Sequence, residues 1–159
     1  MNGNSNVGFP RWITAEGTID LAELPIDGIL KQAMDPEFER FRSACVLLGS
    51  MAGAGRPEAG LYLIGLLGCY ASDLQRLEVI AGQLLGHFPH ESSANALLAE
   101  IRRIRSSNTT RRYLDRVLRS LAVLPLHFVK SGLEVLAEDT SFSPKMRAKF
   151  RNCCEGIRI

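Results

Sequence analysis

Two apolar stripes interleave along this 159-residue chain and share one period. Phe41, Cys45 and Leu48 stand at i, i+4 and i+7, the spacing that lines one face of an α-helix. The stripe returns 36 residues later as Leu77, Ala81 and Leu84, and after a further 37 as Leu114, Leu118 and Leu121. It recurs 36 residues beyond that as Phe150, Cys154 and Ile157. A second stripe runs between these segments: Ile26 and Ile29, Leu61 and Ile64, Leu98 and Ile101, then Leu133 and Leu136, at intervals of 35, 37 and 35. One helix pair cannot bury its own apolar face, whereas stacked neighbours build a continuous core. The pattern therefore predicts an all-α chain of stacked helix pairs. First-type helices are expected near 36–50, 73–87, 110–123 and 144–157, and second-type helices near 25–34, 57–71, 93–106 and 127–138.

The segment ends agree with this reading. Asp35-Pro36 and Ser143-Pro144 each place a capping side chain before a proline suited to the first helical turn. Ser72-Asp73-Leu74-Gln75 has capping-box spacing, and Thr109 or Thr110 is placed to cap the third first-type segment. Turn residues fill the gaps: Gly53, Gly55, Arg56 and Pro57, then Pro89 to Ser93, then Pro125. Gly60, Gly65, Gly68, Gly82 and Gly132 fall inside helices, where each costs up to ~1 kcal/mol relative to Ala. Close helix–helix approach is the expected compensation. Residues 1–20 read as an extended or disordered arm, and residues 21–159 as the helical domain.

The junction Ile29-Leu30-Lys31-Gln32-Ala33-Met34-Asp35-Pro36-Glu37, followed by Phe41-Arg42-Ser43-Ala44-Cys45-Val46-Leu47-Leu48-Gly49, resembles a HEAT repeat. Leu84-Leu85-Gly86 echoes the helix end in the next unit. The resemblance covers about residues 25–157. It implies a right-handed α-solenoid of about 3–4 HEAT-like repeats, with second-type helices lining a concave face used for binding. Asp35 and Asp73 roughly match the family's recurring Asp, whereas Asn108 and Ser141 stand in the later neighbourhoods, so an armadillo-like variant stays open.

Apolar residues make up 46% of the chain and charged residues 23%, which fits a folded domain and argues against disorder. A net charge of +2 gives no bulk attraction to nucleic acid or membrane. Met1-Asn2-Gly3-Asn4-Ser5-Asn6 lacks the basic and apolar regions of a secretory signal. The longest apolar run, Gly60 to Ala71, is shorter than the ~20 residues a membrane span needs. The four cysteines, Cys45, Cys69, Cys153 and Cys154, show neither zinc-finger nor C-x-x-C spacing. A reduced, cytoplasmic protein with no metal and no cofactor is the expectation.

The modest net charge hides an arginine cluster. Arg102, Arg103, Arg105, Arg111, Arg112, Arg116 and Arg119 fall within 18 residues with Asp115 as the only acid, a local charge of +6. Arg102, Arg103 and Arg105 suit a helix C-terminus, where the macrodipole favours cations. Arg111 and Arg112 open a helix, where it disfavours them, and Arg112 and Arg116 are a like-charge i, i+4 pair. An Asp115–Arg119 pair is expected to offset part of the charge. An acidic partner would explain the remainder.

Several other features point less clearly to chemistry. His87-Phe88-Pro89-His90-Glu91 places two histidines around a helix-breaking proline, and His127 reads as flanking a helix. Gly53-Ala54-Gly55-Arg56-Pro57 is Gly-rich but lacks the lysine and preceding strand of a P-loop. Glu78 lies on an otherwise apolar helix. No hydrolase, phosphate-loop, zinc-protease or dinucleotide motif occurs.

The sequence therefore points to a noncatalytic protein–protein interaction module or scaffold whose arginine patch takes a protein with an acidic segment. The alternative is a nucleic-acid-binding protein that grips the phosphate backbone through the same arginines. The HEAT resemblance also admits base-excising DNA glycosylases and lyase-associated subunits. The only tryptophan, Trp12, lies outside the repeats, so no glycosylase site transfers. Half-repeats at both ends, with Ile26, Ile29, Phe150 and Ile157, invite homodimerisation unless Phe9, Trp12 and Ile13 fold back as a cap.

Overall fold

The first-type stripe is buried at Phe41, Cys45, Leu48, Leu77, Ala81, Leu84, Leu114, Leu118, Leu121 and Phe150, and half-buried at Cys154. The computed structural model describes residues 10–156, the side chains at 85 and 86 excepted, so Phe9 and Ile157 lie outside the described residues. Within them the chain forms eight helices: α1 (Asp27–Gln32), α2 (Phe38–Gly53), α3 (Pro57–Cys69), α4 (Leu74–His87), α5 (Glu91–Arg103), α6 (Arg111–Val123), α7 (Leu126–Ala137) and α8 (Pro144–Cys154). The all-α expectation holds. The only strand-like feature among the described residues is one isolated antiparallel bridge, Ile13 to Ile19.

Helix contacts follow chain order. The even-numbered helices pack in succession, α2 on α4, α4 on α6 and α6 on α8. The odd-numbered helices do the same from α3 to α5 to α7, and α1 packs on α2. Cross-contacts α2–α3, α3–α4, α5–α6 and α7–α8 join the two sets. The core lies between them. Leu98, Ile101, Leu133 and Leu136 of the second stripe are buried, but Leu61 is 51% exposed.

Polar ties reinforce successive junctions. Arg76 is 8% exposed and donates to the carbonyls of Asp35 (3.1 Å) and Pro36 (2.6 Å). Its guanidinium lies 4.6 Å from the Phe41 ring centroid and 5.2 Å from that of Tyr70, and it pairs with Asp73 at 3.2 Å. The Tyr70 hydroxyl donates to the Ala33 carbonyl at 2.9 Å. One buried cation thus joins the start of α4 to the turn before α2.

The helix caps differ in detail from the sequence reading. Ser143 caps α8 by accepting from the Met146 amide, and Asp73 caps α4 by accepting from the Arg76 amide. Helix α2 begins at Phe38, so Pro36 precedes the helix. Asp35 instead accepts from the Glu37 amide and pairs with Arg40, both at 2.8 Å. Those contacts hold its carboxyl below the usual range, the backbone bond first. Thr110 does not cap α6. Its hydroxyl donates to the Arg105 carbonyl and accepts from the Ser107 amide.

The described part of the N-terminal arm contains a closed turn. Thr14 and Thr18 close a turn through backbone and hydroxyl bonds, with Gly17 at a φ of +82°. Trp12 and Ile13 are half-buried but do not pack on the core; Leu21 and Leu24 do. Arg56 fastens that segment by donating to the carbonyls of Leu21 and Leu24. Ile26 and Ile29 are half-buried against the core, and Phe150 is fully buried beside Phe142. The expected exposed apolar ends are therefore absent at these three residues.

The helix glycines divide. A Cβ at Gly60 would enter the Phe88 ring, and one at Gly132 would lie 2.5 Å from Leu98 Cδ1. Close approach explains both. Gly65 and Gly68 have nothing within 4 Å, so it does not explain them. Gly60→Ala is expected to lower unfolding free energy by about 1–3 kcal/mol through overpacking. Gly65→Ala is expected to raise it by up to about 1 kcal/mol through helix propensity. Urea unfolding of the two variants beside the parent checks both signs.

Candidate functional site

Helix α6 begins with two arginines, and the loop before it is closed by its own Ser and Thr side chains. No side chain caps the α6 N-terminus, and its first turn holds no acid. Arg111 and Arg112 thus add to the positive end of the helix dipole instead of offsetting it. Arg112, Asp115, Arg116 and Arg119 stand at i, i+3, i+4 and i+7, on one face. With Arg111, Asn108 and Glu78 of α4 they line a hollow of about 390 Å³.

Each charge there has a distinct setting. Arg112 pairs across the helices with Glu78 at 2.9 Å, although its side chain is 86% exposed. Glu78 is half-buried and serves as this ion-pair partner. Asp115 pairs with Lys149 of α8 at 2.9 Å, not with Arg119 as its i, i+4 spacing suggested. Among the described residues Arg111 has only a 3.4 Å contact, to the Asn108 side-chain oxygen. Arg116 lies across α4 at Gly82, where a Cβ would sit 3.7 Å from its Cζ. The guanidinium of the half-buried Arg116 thus rests against Gly82, with no carboxylate partner among the described residues. Arg111, Arg116 and Arg119 have no carboxylate partner among the described residues.

The other three arginines do not join this row. Arg103 is held by Glu100 through two bonds of 2.7 and 2.6 Å, and it also donates to the Ala71 carbonyl at 2.5 Å. Glu100 is 5% exposed and accepts from the Tyr113 hydroxyl at 2.5 Å. Burial first, then the bond to Glu100, pushes the Tyr113 hydroxyl pKa far up. Arg103 is thus paired with the buried Glu100 although its own side chain is 37% exposed. Arg102 and Arg105 line a separate hollow of about 530 Å³, opposite Asp139, Ser141 and Ser143 of the α7–α8 turn. Asp139 is held below the usual carboxylate range by its bonds from Ser141, with Arg102 and Arg147 adding to the effect.

A single offset links these contacts. Glu78–Arg112, Gly82–Arg116 and Asp115–Lys149 are each 34 residues apart, so each even helix meets the next in the same register. Glu100, Tyr113 and Gly82 sort the arginines, and none of the three belongs to the arginine cluster that the sequence singles out. Glu100 at i−3 from Arg103 was the available signal.

The remaining candidates have structural roles. His90 Nδ1 accepts from the Ser92 amide at 3.0 Å, and its ring stacks on Phe88. His127 is exposed on the first turn of α7. Burial pushes the Cys45 thiol up to about 12 and the Cys153 thiol up to about 11, which keeps both protonated at neutral pH. Among the described residues no three His, Cys, Asp or Glu side chains converge to hold a metal ion, and no helix is long and apolar enough to cross a membrane.

Comparison with known proteins finds no matching family model, no matching curated protein and no matching solved structure. The site therefore stands on its geometry alone.

Two substitutions separate tie from surface. Arg103→Gln leaves Glu100 buried with one fewer partner and is expected to cost about 2–3 kcal/mol of stability. Arg119→Gln is expected to stay within about 0.5 kcal/mol of the parent. Chemical unfolding monitored by circular dichroism checks the contrast.

Proposed function

We propose that this chain is a noncatalytic interaction module, a short α-solenoid of HEAT-like helix pairs whose α6 arginine row captures an acidic segment of a partner protein. The ordered contacts among even and among odd helices support the solenoid reading. The functional reading is carried by one observation: Arg111, Arg116 and Arg119 share a helix surface, and no carboxylate among the described residues neutralises them. Arg116 is already oriented by Gly82, so less side-chain entropy is lost when it meets a carboxylate. Guanidinium groups grip carboxylates through paired N–H donors.

The same row has the chemistry to grip phosphates. It bears no exposed ring on which bases could stack, because Tyr113 is buried against Glu100. The protein partner is therefore the preferred reading.

Fluorescence anisotropy with a labelled glutamate-rich peptide, and in parallel with labelled single- and double-stranded DNA, tests this in a salt series. The expected result is peptide binding that weakens with salt and falls at least about tenfold in the Arg116→Glu/Arg119→Glu double variant. Unchanged peptide binding in that variant, or no peptide binding at low salt, overturns the reading. Binding confined to DNA, with a steep salt slope, would transfer the row to phosphate recognition.

A further inference from the structure

The charge of this chain is divided along its length. Residues 1–101 carry twelve acidic and six basic side chains, a net charge of −6. Residues 102–159 carry five acidic and thirteen basic side chains, a net charge of +8. The near-neutral total therefore conceals two strongly and oppositely charged parts.

Helix packing pairs Glu78 with Arg112 and Glu100 with Arg103 across this division, but it keeps the acids near the N-terminal end from the α6 row. Helix α1 packs on α2, α2 on α4 and α4 on α6. Each step between packed helices is about 8–10 Å. Acids at the N-terminal end thus lie two or three steps from the α6 row, beyond the reach of an arginine side chain. Glu16, Glu23, Asp27 and Glu37 are exposed, and none pairs with a cation among the described residues. Unpaired acids between residues 16 and 37 and unpaired arginines on α6 are left by the same fold.

Each charged surface also carries an exposed apolar residue. Val123 is 59% exposed, four residues beyond Arg119 and on the same side of α6. Ile19 is 58% exposed and lies between Glu16 and Glu23 in the chain. An apolar contact flanked by opposite charges is a normal interface composition.

We propose that a second copy of this chain docks its acidic N-terminal end on the α6 arginine row of the first. This rests on the reading of that row as an acid-binding surface and names its occupant. The contact is heterologous, so docking leaves one free row and one free acidic end, and addition continues head to tail. The small total charge keeps whole-molecule repulsion low, while the separated charges orient the encounter. Association driven this way depends on concentration and weakens with salt.

Sedimentation velocity of the full chain tests the proposal, using three samples across a concentration and salt series. These are the parent, an Arg111→Glu/Arg116→Glu/Arg119→Glu variant, and a Glu16→Lys/Glu23→Lys/Asp27→Lys/Glu37→Lys variant. Circular dichroism first verifies that both variants retain the parent's helicity; a variant that does not is replaced by its Arg→Gln or acid→amide counterpart. The parent is expected to rise at least about twofold above its 17.5 kDa monomer mass at low salt and return to it at high salt. Each variant alone is expected to stay monomeric. Their mixture is expected to associate, because each supplies the surface that the other has reversed. A parent that stays monomeric at low salt, variants that still self-associate, or a mixture that fails to associate overturns the proposal. If the parent stays monomeric yet binds the glutamate-rich peptide, only the second-copy proposal falls. If it does neither, the acid-binding reading falls with it.

Discussion

The structure depends on burying one apolar stripe between successive even-numbered helices. Phe41, Leu48, Leu77, Leu84, Leu114, Leu121 and Phe150 are all at most 1% exposed. Isolated helices of 11–16 residues are marginal in water, so α2, α4, α6 and α8 gain most of their stability from this packing. The stacking also fixes the register in which charges meet. With the stripe in place, residues 34 positions apart face one another, and Arg112 finds Glu78 while Lys149 finds Asp115.

That register leaves several arginines without a carboxylate partner among the described residues. Seven arginines close in sequence become three groups in space. One is paired with the buried Glu100, two face the α7–α8 turn, and four line α6. Arg112 among the last group has a carboxylate partner, and the other three have none among the described residues. Local rules oppose such an arrangement at the start of a helix, where no side chain caps the backbone and no acid occupies the first turn. Sites where local preference is overridden without internal compensation are where external partners are expected to act.

Helix number, type and order were legible in the sequence because the two stripes repeat over the whole chain and boundaries follow proline, glycine and capping side chains. The details that depend on non-local contact were not. Thr110 looked like a cap, yet a neighbouring carbonyl and amide claim its hydroxyl. Pro36 looked like the first helical residue, but Asp35 turns the chain one step earlier. Arg103 looked equivalent to Arg102, and only a buried carboxylate three residues back distinguishes them. Asp115 offered two partners at compatible spacing, and the Lys149 contact shows that stacking outweighed the i, i+4 choice. Glycine in a helix gave the same ambiguous signal at Gly60 and Gly65, and only the position of Phe88 separates them.

The central claim is that the unpaired α6 arginines serve a partner and not the fold. The stability and the peptide affinity of a single variant, Arg111→Glu, measured together, test it most directly. The account predicts that a carboxylate at this helix start raises unfolding free energy by about 0.3–1 kcal/mol while affinity for a glutamate-rich peptide falls. A variant that is less stable than the parent, or one that binds the peptide equally well, would contradict it.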